Sequence, residues 1–410
     1  MASYYKFSMI FLMVFLVNIG QSCRAEAFHS GSSNECKECH TGKNANGKEF
    51  AQISRQTGNP QKPPLGKSSD LYGSDESSTC LRCHQAPGGT RQHSGHYVAT
   101  GDAAMPPGMP PMQLTPGGDF GWLKKNYSWG TSGGKRDGSP GERHGHNIVA
   151  LDFGYEADRT YLTVPKGIYP ASALSCISCH DPHAAIAAGM GAAGAYRMLG
   201  GIGHEPSSAR GIAFTVNPPA AVAPRIYNRS EALTDTRVAY GKGMSEWCAN
   251  CHTGGCSGTY GHPTCSGAKC NKEIFSNYNA YVKSGDINGM GSASYTSLVP
   301  FEEGTEDKAV LVQHARTDGS YMKGPDSRSN VMCLTCHRAH ASGWDHMARW
   351  NMATAFIVHK GAYPGINNGA PAEYAQGRSV AEAQKAYYDR PSTRFALSQR
   401  GLCNKCHVRD

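Results

Sequence analysis

Pairs of cysteines followed at once by a histidine recur along this sequence of 410 residues. The first pair lies in the stretch NECKECHTGKNANG, residues 34–47. The pattern C-x-x-C-H occurs six times and uses 12 of the 16 cysteines. Its cysteine pairs are Cys36 and Cys39, Cys80 and Cys83, Cys176 and Cys179, Cys248 and Cys251, Cys333 and Cys336, and Cys403 and Cys406. The histidines that follow them are His40, His84, His180, His252, His337 and His407.

This pattern is the attachment signature for c-type haem, in which the thiols add to two vinyl groups and the histidine binds the iron. A zinc ribbon also pairs C-x-x-C units, but it needs four ligands per ion and does not require a histidine after every pair. A thioredoxin-like redox pair belongs to a βαβ pattern, which the sequence does not show. The six repeats therefore predict six covalently bound c-type haems, each with an iron centre.

The second axial position of each iron decides what the protein can do. A second protein ligand makes an electron carrier, whereas an empty position lets a substrate bind and makes an enzyme. Of 18 histidines, six belong to the motifs, so twelve remain for six positions. With so many histidines to spare, Met105, Met109 and Met112 are weaker candidates.

Two of the remaining histidines, His183 and His340, stand three residues after a motif histidine. Such a histidine cannot reach the far side of its own haem, but it can reach the iron of a closely stacked neighbour. The other candidate second ligands are His96, His146, His262, His314 and His29.

Three further cysteines, Cys256, Cys265 and Cys270, follow the fourth motif in the stretch CSGTYGHPTCSGAKC. Because their number is odd, one disulfide with a free thiol and an unusual contact near the fourth haem are both open. A structural cross-link of this loop is the default expectation.

The elements that position the motifs are expected to be short. The chain contains 49 Gly and 23 Pro, and only 39% of its residues are hydrophobic. Because such a chain buries little apolar surface of its own, porphyrin faces must supply part of the core. The expected fold is a multihaem cytochrome c of mostly irregular coil and turns, with short α-helices around a chain of six haems and very little β-structure. Helices are predicted in residues 269–285, 342–359 and 379–390, the last with a capping box of Ser379 and Glu382.

The first 27 residues predict a secretory signal peptide. Lys6 precedes an apolar run, and Ala25-Glu26-Ala27 forms an A-x-A cleavage site. Residues 28–410 are then expected to form a single hexahaem unit. Cys23 allows a lipoprotein alternative, although an aliphatic residue is missing three positions before it. Export fits c-type haem, which is attached outside the cytoplasm.

The formal net charge of +8 does not predict nucleic-acid binding. Six haems would add about twelve negative propionate charges and largely cancel it. The sequence also lacks a basic stripe with interleaved aromatic residues.

Several stretches beyond the motifs resemble the OmcS-type outer-surface hexahaem cytochromes. They run in order over nearly the whole mature chain, and they are FHSG (28–31), TPGGDFGW (115–122), GHNIVA (145–150), PAAVAP (219–224), TRVAYGKGMSEWCANCH (236–252), PFEEGT (300–305), CLTCHRAHASGWD (333–345) and LCNKCH (402–407). The resemblance implies six haems with two histidine ligands each, and end-to-end polymerisation into conductive extracellular filaments. The implied partners are further copies of the chain, other multihaem cytochromes, and metal oxides or electrodes as electron acceptors.

One position departs from the family. The resemblance implies that a histidine three residues after the first motif histidine ligates the fifth haem of the adjacent subunit, but this sequence has Lys43 there. A protonated lysine is a poor iron ligand. Either His29 or His93 makes the bond between subunits, or His346 closes the fifth haem within its own chain. We expect a filament with a relocated bridging ligand.

Two other functions are weighed beside the filament. A periplasmic or surface electron carrier that does not polymerise would use the same haems. A multihaem reductase needs an iron without a strong second ligand, and some reductases replace a motif histidine by lysine. All six motifs keep their histidine, so we expect an electron carrier without catalytic residues.

Overall fold

The second to sixth attachment motifs lie on short helical segments that irregular backbone connects. The computed structural model describes residues 39–40, 71–87, 96–131, 133–182, 198–224, 231–254, 262–265, 267 and 270–408. In this part of the chain the helices are α1 (Glu76–His84), α2 (Met244–Cys248), α3 (Lys272–Ala280), α4 (Lys308–His314), α5 (Cys333–Cys336), α6 (Ala372–Ala375) and α7 (Val380–Ala386). Short 3₁₀ turns include Phe120–Lys124, Cys176–Ser178, Asp345–Met347 and Leu402–Lys405.

The β-structure of the described residues consists of three separate antiparallel pairs. They join β1 (Tyr127–Gly130) to β2 (Arg136–Ser139), β3 (Ala221–Val222) to β4 (Ala239–Tyr240), and β5 (Phe356–Val358) to β6 (Gln399–Arg400). Proline and glycine at this density stop longer elements. The predicted fold class, mostly coil with short helices and little sheet, is confirmed.

Two of the three predicted helices are confirmed and one is wrong. Helix α7 begins after Ser379, which forms the predicted capping box with Glu382, and α3 lies within the predicted 269–285 segment. The segment 342–359 contains only the 3₁₀ turn Asp345–Met347 and strand β5. Its helical periodicity is overridden because His346 and Met347 adopt left-handed backbone angles, with φ of 59° and 47°.

Three segments that are distant in sequence meet at Ala341, which is fully buried. Gly118 forms a parallel bridge with Ala341, and Gly145 forms an antiparallel one. The approach is possible only without side chains, since a Cβ on Gly118 would lie 1.8 Å from the Ala341 carbonyl oxygen. We call this meeting point of residues 117–118, 144–146 and 339–341 the Ala341 junction. It places two candidate ligands, His146 and His340, on adjacent backbone segments.

The largest apolar cluster surrounds this junction and is rich in aromatic residues. Trp344, Tyr387 and Tyr363 are buried in it, and the Tyr363 and Tyr387 rings stack with centroids 5.0 Å apart. Within the described ranges no helix is long and apolar enough to cross a membrane.

Candidate haem-binding site

Each of the five motifs that the structure describes in full closes one helical turn, which places its two sulfurs on one side and the histidine directly after them. The backbone amides of His180, His252 and His337 each donate to the carbonyl of the first motif cysteine at 3.0 Å, and His407 does so at 2.9 Å. In the second motif, Cys80 and Cys83 lie on the last turns of α1. Residues three apart on a helix share a face, so both thiols can reach one porphyrin edge.

Three of the motif histidine rings are oriented by hydrogen bonds from Nδ1. The Nδ1–H group of His84 donates to the carbonyl of His96 at 2.7 Å, that of His252 to Pro165 at 3.0 Å, and that of His337 to His346 at 2.8 Å. A carbonyl accepts only from a protonated nitrogen, so Nε2 carries the lone pair. A hydrogen bond of this kind is the usual way in which a protein orients a metal-binding histidine and fixes its tautomer. Nothing in the sequence indicates these carbonyl partners, because any residue can supply one.

Three motif histidines face a second histidine ring. The ring centroids are 6.2 Å apart for His252 and His146, 6.5 Å for His180 and His340, and 5.9 Å for His407 and His262. One iron between two imidazoles requires about 6.2 Å, from two metal–nitrogen bonds of about 2 Å and two half-rings of about 1.1 Å. Each pair therefore has the spacing of a haem with two axial histidines.

Burial keeps several of these rings neutral, as iron ligation requires. It lowers the pKa of His146 to about 4, with the neighbouring His252 as a further cause. Burial also lowers the pKa of His84 and of His337. The His146 ring is further fixed by its Nδ1–H, which donates to the carbonyl of Ala339 at 2.8 Å.

The other candidate ligands have different surroundings. The backbone carbonyl of His96 accepts the hydrogen bond from Nδ1 of His84, as described above. The structure does not bring His314 to a motif histidine: its Nδ1 bonds to Glu303, and its ring stacks on Tyr321 with centroids 4.2 Å apart. Cys36, His29, His93 and His183 lie outside the described residues.

Two histidines outside the set of candidate ligands, His144 and His204, form hydrogen bonds with other parts of the chain. His144 is fully buried, with Nδ1 bonded to the Trp122 carbonyl at 2.9 Å and Nε2 to the Ser139 hydroxyl at 2.8 Å. His204 uses Nε2 on the carbonyl of Ile177 at 2.9 Å. Both ring nitrogens of His144 are therefore engaged, whereas Nδ1 of His204 lies 3.8 Å from an Asp181 carboxylate oxygen.

Successive attachment motifs lie against each other. The thiols of Cys80 and Cys176 are hydrogen-bonded, as are those of Cys248 and Cys333. Electrostatic interactions link Cys39 with Cys80, Cys179 with Cys251, and Cys336 with Cys403. The order of the motifs in space thus follows their order in the sequence, which sequence spacing alone could not show.

A buried guanidinium lies beside the fifth motif. Arg338, directly after His337, is 3% exposed, and its Nε and Nη2 have no partner among the described residues. Its Nη1 donates to the Pro116 carbonyl at 3.1 Å, and its guanidinium lies 3.6 Å from the centre of the Tyr388 ring. Burial lowers the pKa of Arg338 only to about 10, so it stays charged. Such a donor suits an anionic group, and a haem propionate is one.

The described residues therefore fit covalent haem: thiols on one turn, neutral histidines whose Nδ1–H donates to a carbonyl so that Nε2 carries the lone pair, and a buried cation. Haem, when bound, supplies the iron that accepts and gives up single electrons. The protein's residues attach the porphyrin, fix the axial rings and exclude water.

Of the three cysteines after the fourth motif, Cys265 is disulfide-bonded and Cys270 is a buried free thiol. Cys256 lies outside the described residues, so a cross-link within this loop stays a prediction.

Together these features define a c-type cytochrome that binds haem covalently. A search of family profiles found no match. The chain is 47% identical to the C-type cytochrome OmcS of Geobacter sulfurreducens, over 94% of this chain and 95% of that protein. Two solved structures from the same organism, OmcS nanowires and an outer membrane cytochrome S filament, each share 44% identity and cover 93% of this chain and 100% of theirs, with TM-scores of 0.78 and 0.79. The chain belongs to the OmcS family of c-type cytochromes, and the resemblance seen in the sequence is confirmed.

Proposed function

We propose that this protein carries electrons outside the cell along six c-type haems and polymerises into filaments. The observation that carries the proposal is the set of three facing histidine pairs, because a haem with two protein ligands transfers electrons without binding a substrate. The contacts between successive motifs add a continuous order for haem-to-haem transfer. The two similar solved structures are filaments, which supports the proposed polymerisation.

We assign the axial ligands as follows. The third haem takes His180 and His340, the fourth takes His252 and His146, and the sixth takes His407 and His262. For the first and second haems, held by His40 and His84, the second ligands come from His183, His29 and, at the first haem, His96, whose carbonyl accepts from the His84 ring. His314 is left out of this assignment because Glu303 and Tyr321 hold it elsewhere.

The fifth haem is the place where subunits join. No histidine ring of the described residues faces His337, whereas three other motif histidines have such a partner. The His346 carbonyl accepts from Nδ1 of His337, so the His346 backbone lies beside the proximal ring rather than across the porphyrin. His346 is thus poorly placed to close this haem, and we assign its second ligand to a neighbouring subunit. Since Lys43 replaces the family's bridging histidine, that ligand is relocated.

A head-to-tail contact of this kind does not close on itself and therefore builds an open filament. We further propose that residues 1–27 direct export, that residues 28–410 form one hexahaem unit, and that the filament lies on the outer cell surface. Its partners are other copies of the chain, other multihaem cytochromes and extracellular metal oxides; a soluble periplasmic carrier is the alternative location and state.

Electron microscopy of material sheared from cells, combined with spectroscopy, tests the proposal. We expect fibres of one repeating subunit whose oxidised haems are all low-spin. Strictly monomeric holoprotein under near-native conditions would contradict the filament but leave the electron carrier. A high-spin haem in intact fibres that binds nitrite in stoichiometric amount would favour a reductase instead.

A further inference from the structure

The fifth attachment motif pairs with a backbone segment that follows it in the chain. The amide of Arg338 donates to the Met347 carbonyl at 2.8 Å. The amide of Arg349 donates to the carbonyl of Cys336, also at 2.8 Å. His337 lies between these two hydrogen bonds, so the backbone on both sides of this motif histidine is held.

The third motif has the same arrangement around His180. The Asp181 amide donates to the Met198 carbonyl at 2.7 Å, and the Gly200 amide donates to the Cys179 carbonyl at 2.9 Å. In both motifs the residue directly after the methionine forms an antiparallel bridge with the motif histidine. We call residues 198–200 and 347–349 the backing segments.

Each backing segment begins with a methionine whose backbone is left-handed. The φ angle is 44° at Met198 and 47° at Met347. A residue with a Cβ adopts this conformation at a cost, whereas glycine adopts it freely. Such a residue persists only where its surroundings enforce the conformation, and residues of this kind cluster at functional sites. The recurrence of the same residue, conformation and hydrogen bonds at two motifs indicates a common role.

A left-handed residue changes where two consecutive carbonyls point. In extended backbone they point to opposite sides, so only one of them can face a given partner. A helical turn of either hand points them to the same side. The Met347 carbonyl accepts from the Arg338 amide, and the preceding His346 carbonyl accepts from Nδ1 of His337 at 2.8 Å. The left-handed turn thus orients both the backbone and the ring of His337.

We propose that the left-handed conformation of Met198 and Met347 positions His180 and His337 as iron ligands. Both methionines are positioning residues, because they act through the histidines. A hydrogen bond from Nδ1 makes the imidazole a stronger donor to an iron, which favours the ferric state. This inference rests on the proposed ligation of the third and fifth haems by these histidines, and not on polymerisation.

Substitutions at Met347 separate the effect of the backbone from that of the side chain. Valine is β-branched and resists the left-handed region, whereas glycine adopts it freely. In Met347→Val we expect the His346 carbonyl to leave Nδ1, so that one haem per chain favours the ferric state about tenfold less. For a one-electron couple this is a shift of about 59 mV to higher potential. Met347→Gly loses the side chain but keeps the turn, and its potentials should equal those of the wild type.

Met352 provides the matched control. It is 46% exposed, and its φ is not positive. Met352→Val and Met352→Gly should therefore leave every potential unchanged. Spectroelectrochemical titration of the purified holoprotein measures all four variants. Unshifted potentials in Met347→Val, or an equal shift in Met347→Gly, would overturn the inference.

Met198→Val tests the same turn at the third motif if Met347→Val does not fold. One haem per chain should then change its ferric electron paramagnetic resonance g values, which depend on the angle between the planes of the two axial imidazoles. Met198→Gly should keep the wild-type spectrum. Unchanged g values in folded Met198→Val, or the same change in Met198→Gly, would contradict the positioning role.

His340→Ala separates this inference from the proposed function. If that variant opens the third haem while the valine variants shift nothing, the proposed ligation stands and the positioning role is wrong. If His340→Ala leaves every haem low-spin, the proposed pairing with His180 fails, whereas a shift in Met347→Val still supports the inference at the fifth motif.

Discussion

The rings of His180 and His340 face each other with centroids 6.5 Å apart, although they follow different attachment motifs. The Ala341 junction produces this relationship: the His340 amide donates to the Gly117 carbonyl at 2.8 Å, and its carbonyl accepts from the His146 amide at 2.9 Å. The His340 ring also stacks on Phe120, with centroids 4.8 Å apart. One short segment thus positions His146 and His340, the proposed ligands of two haems.

Removing His340 should open the third haem. In His340→Ala we expect about one sixth of the haem to become high-spin and to bind carbon monoxide when reduced. His314→Ala is the control, since that ring bonds to Glu303 and faces no motif histidine; its haems should stay low-spin. Electron paramagnetic resonance and carbon monoxide titration measure both variants. A fully low-spin His340→Ala protein would rule out the His180–His340 pair.

A side chain at Gly118 should break the Ala341 junction. Gly118 and Gly133 have nearly the same φ, +100° and +102°, but a Cβ on Gly133 would meet nothing within 4 Å. Both alanine variants lose about 1–2 kcal/mol through the positive φ. Gly118→Ala should lose about 1–3 kcal/mol more, because Ala341 has to move.

Denaturation followed by the Soret band compares the two glycine variants. Gly118→Ala should also gain high-spin haem, as His146 and His340 shift with the junction. Equal stability of both variants would show that the close approach at Ala341 does not matter.

Glu302 should make stability depend on pH. It is fully buried and accepts from the Met244 amide at 2.9 Å and from Asn330 Nδ2 at 3.3 Å. Burial raises the pKa of Glu302 from 4.5 to about 7, and the nearby Glu246 adds to the rise. The folded protein therefore holds a proton that the unfolded chain releases. The contribution of the Glu302 carboxyl to the free energy of unfolding is complete below about pH 4.5. It falls by roughly 3 kcal/mol as the pH rises through about 7.

In Glu302→Gln this slope between about pH 4.5 and 7 should disappear, because glutamine does not titrate. The free energy of unfolding of the variant should match or exceed that of the wild type above pH 7, provided the Asn330 amide turns to accept. Glu306→Gln, which changes an exposed carboxylate, should keep the wild-type slope. Denaturant titrations across this pH range would contradict the assignment if both variants behaved alike.

Arg390 should contribute far more to the stability of the fold than Arg394, although both pair with Asp235. Arg390 is 3% exposed and bonds to Glu231 and Asp235, whereas Arg394 is 36% exposed and lies 3.6 Å from Asp235. Arg390→Met leaves buried Glu231 without its cation and Asp235 with only the more distant Arg394, and it should cost about 3–5 kcal/mol. Arg394→Met should cost less than about 1 kcal/mol. The difference in unfolding free energy checks this, and similar losses would contradict it.

Sequence reasoning was most successful where chemistry depends on adjacent residues. The six motifs predict covalent haem because two thiols and a histidine must sit on one turn, and the structure forms that turn at His180, His252, His337 and His407. The capping box of Ser379 and Glu382 is equally local. The helix predicted for residues 342–359 was wrong. The helical period of Trp344, Met347 and Trp350 competes there with left-handed backbone angles at His346 and Met347.

The haem cofactor and the family could be predicted from the sequence, because both depend on residue types at fixed short spacing. Which histidine faces which follows from contacts in the folded chain. Sequence spacing could not separate His314 from His146 as candidate ligands. Glu303 holds the first, and the glycines at the Ala341 junction bring the second to His252. Those contacts join residues far apart in the chain, and they form only when the backbone packs.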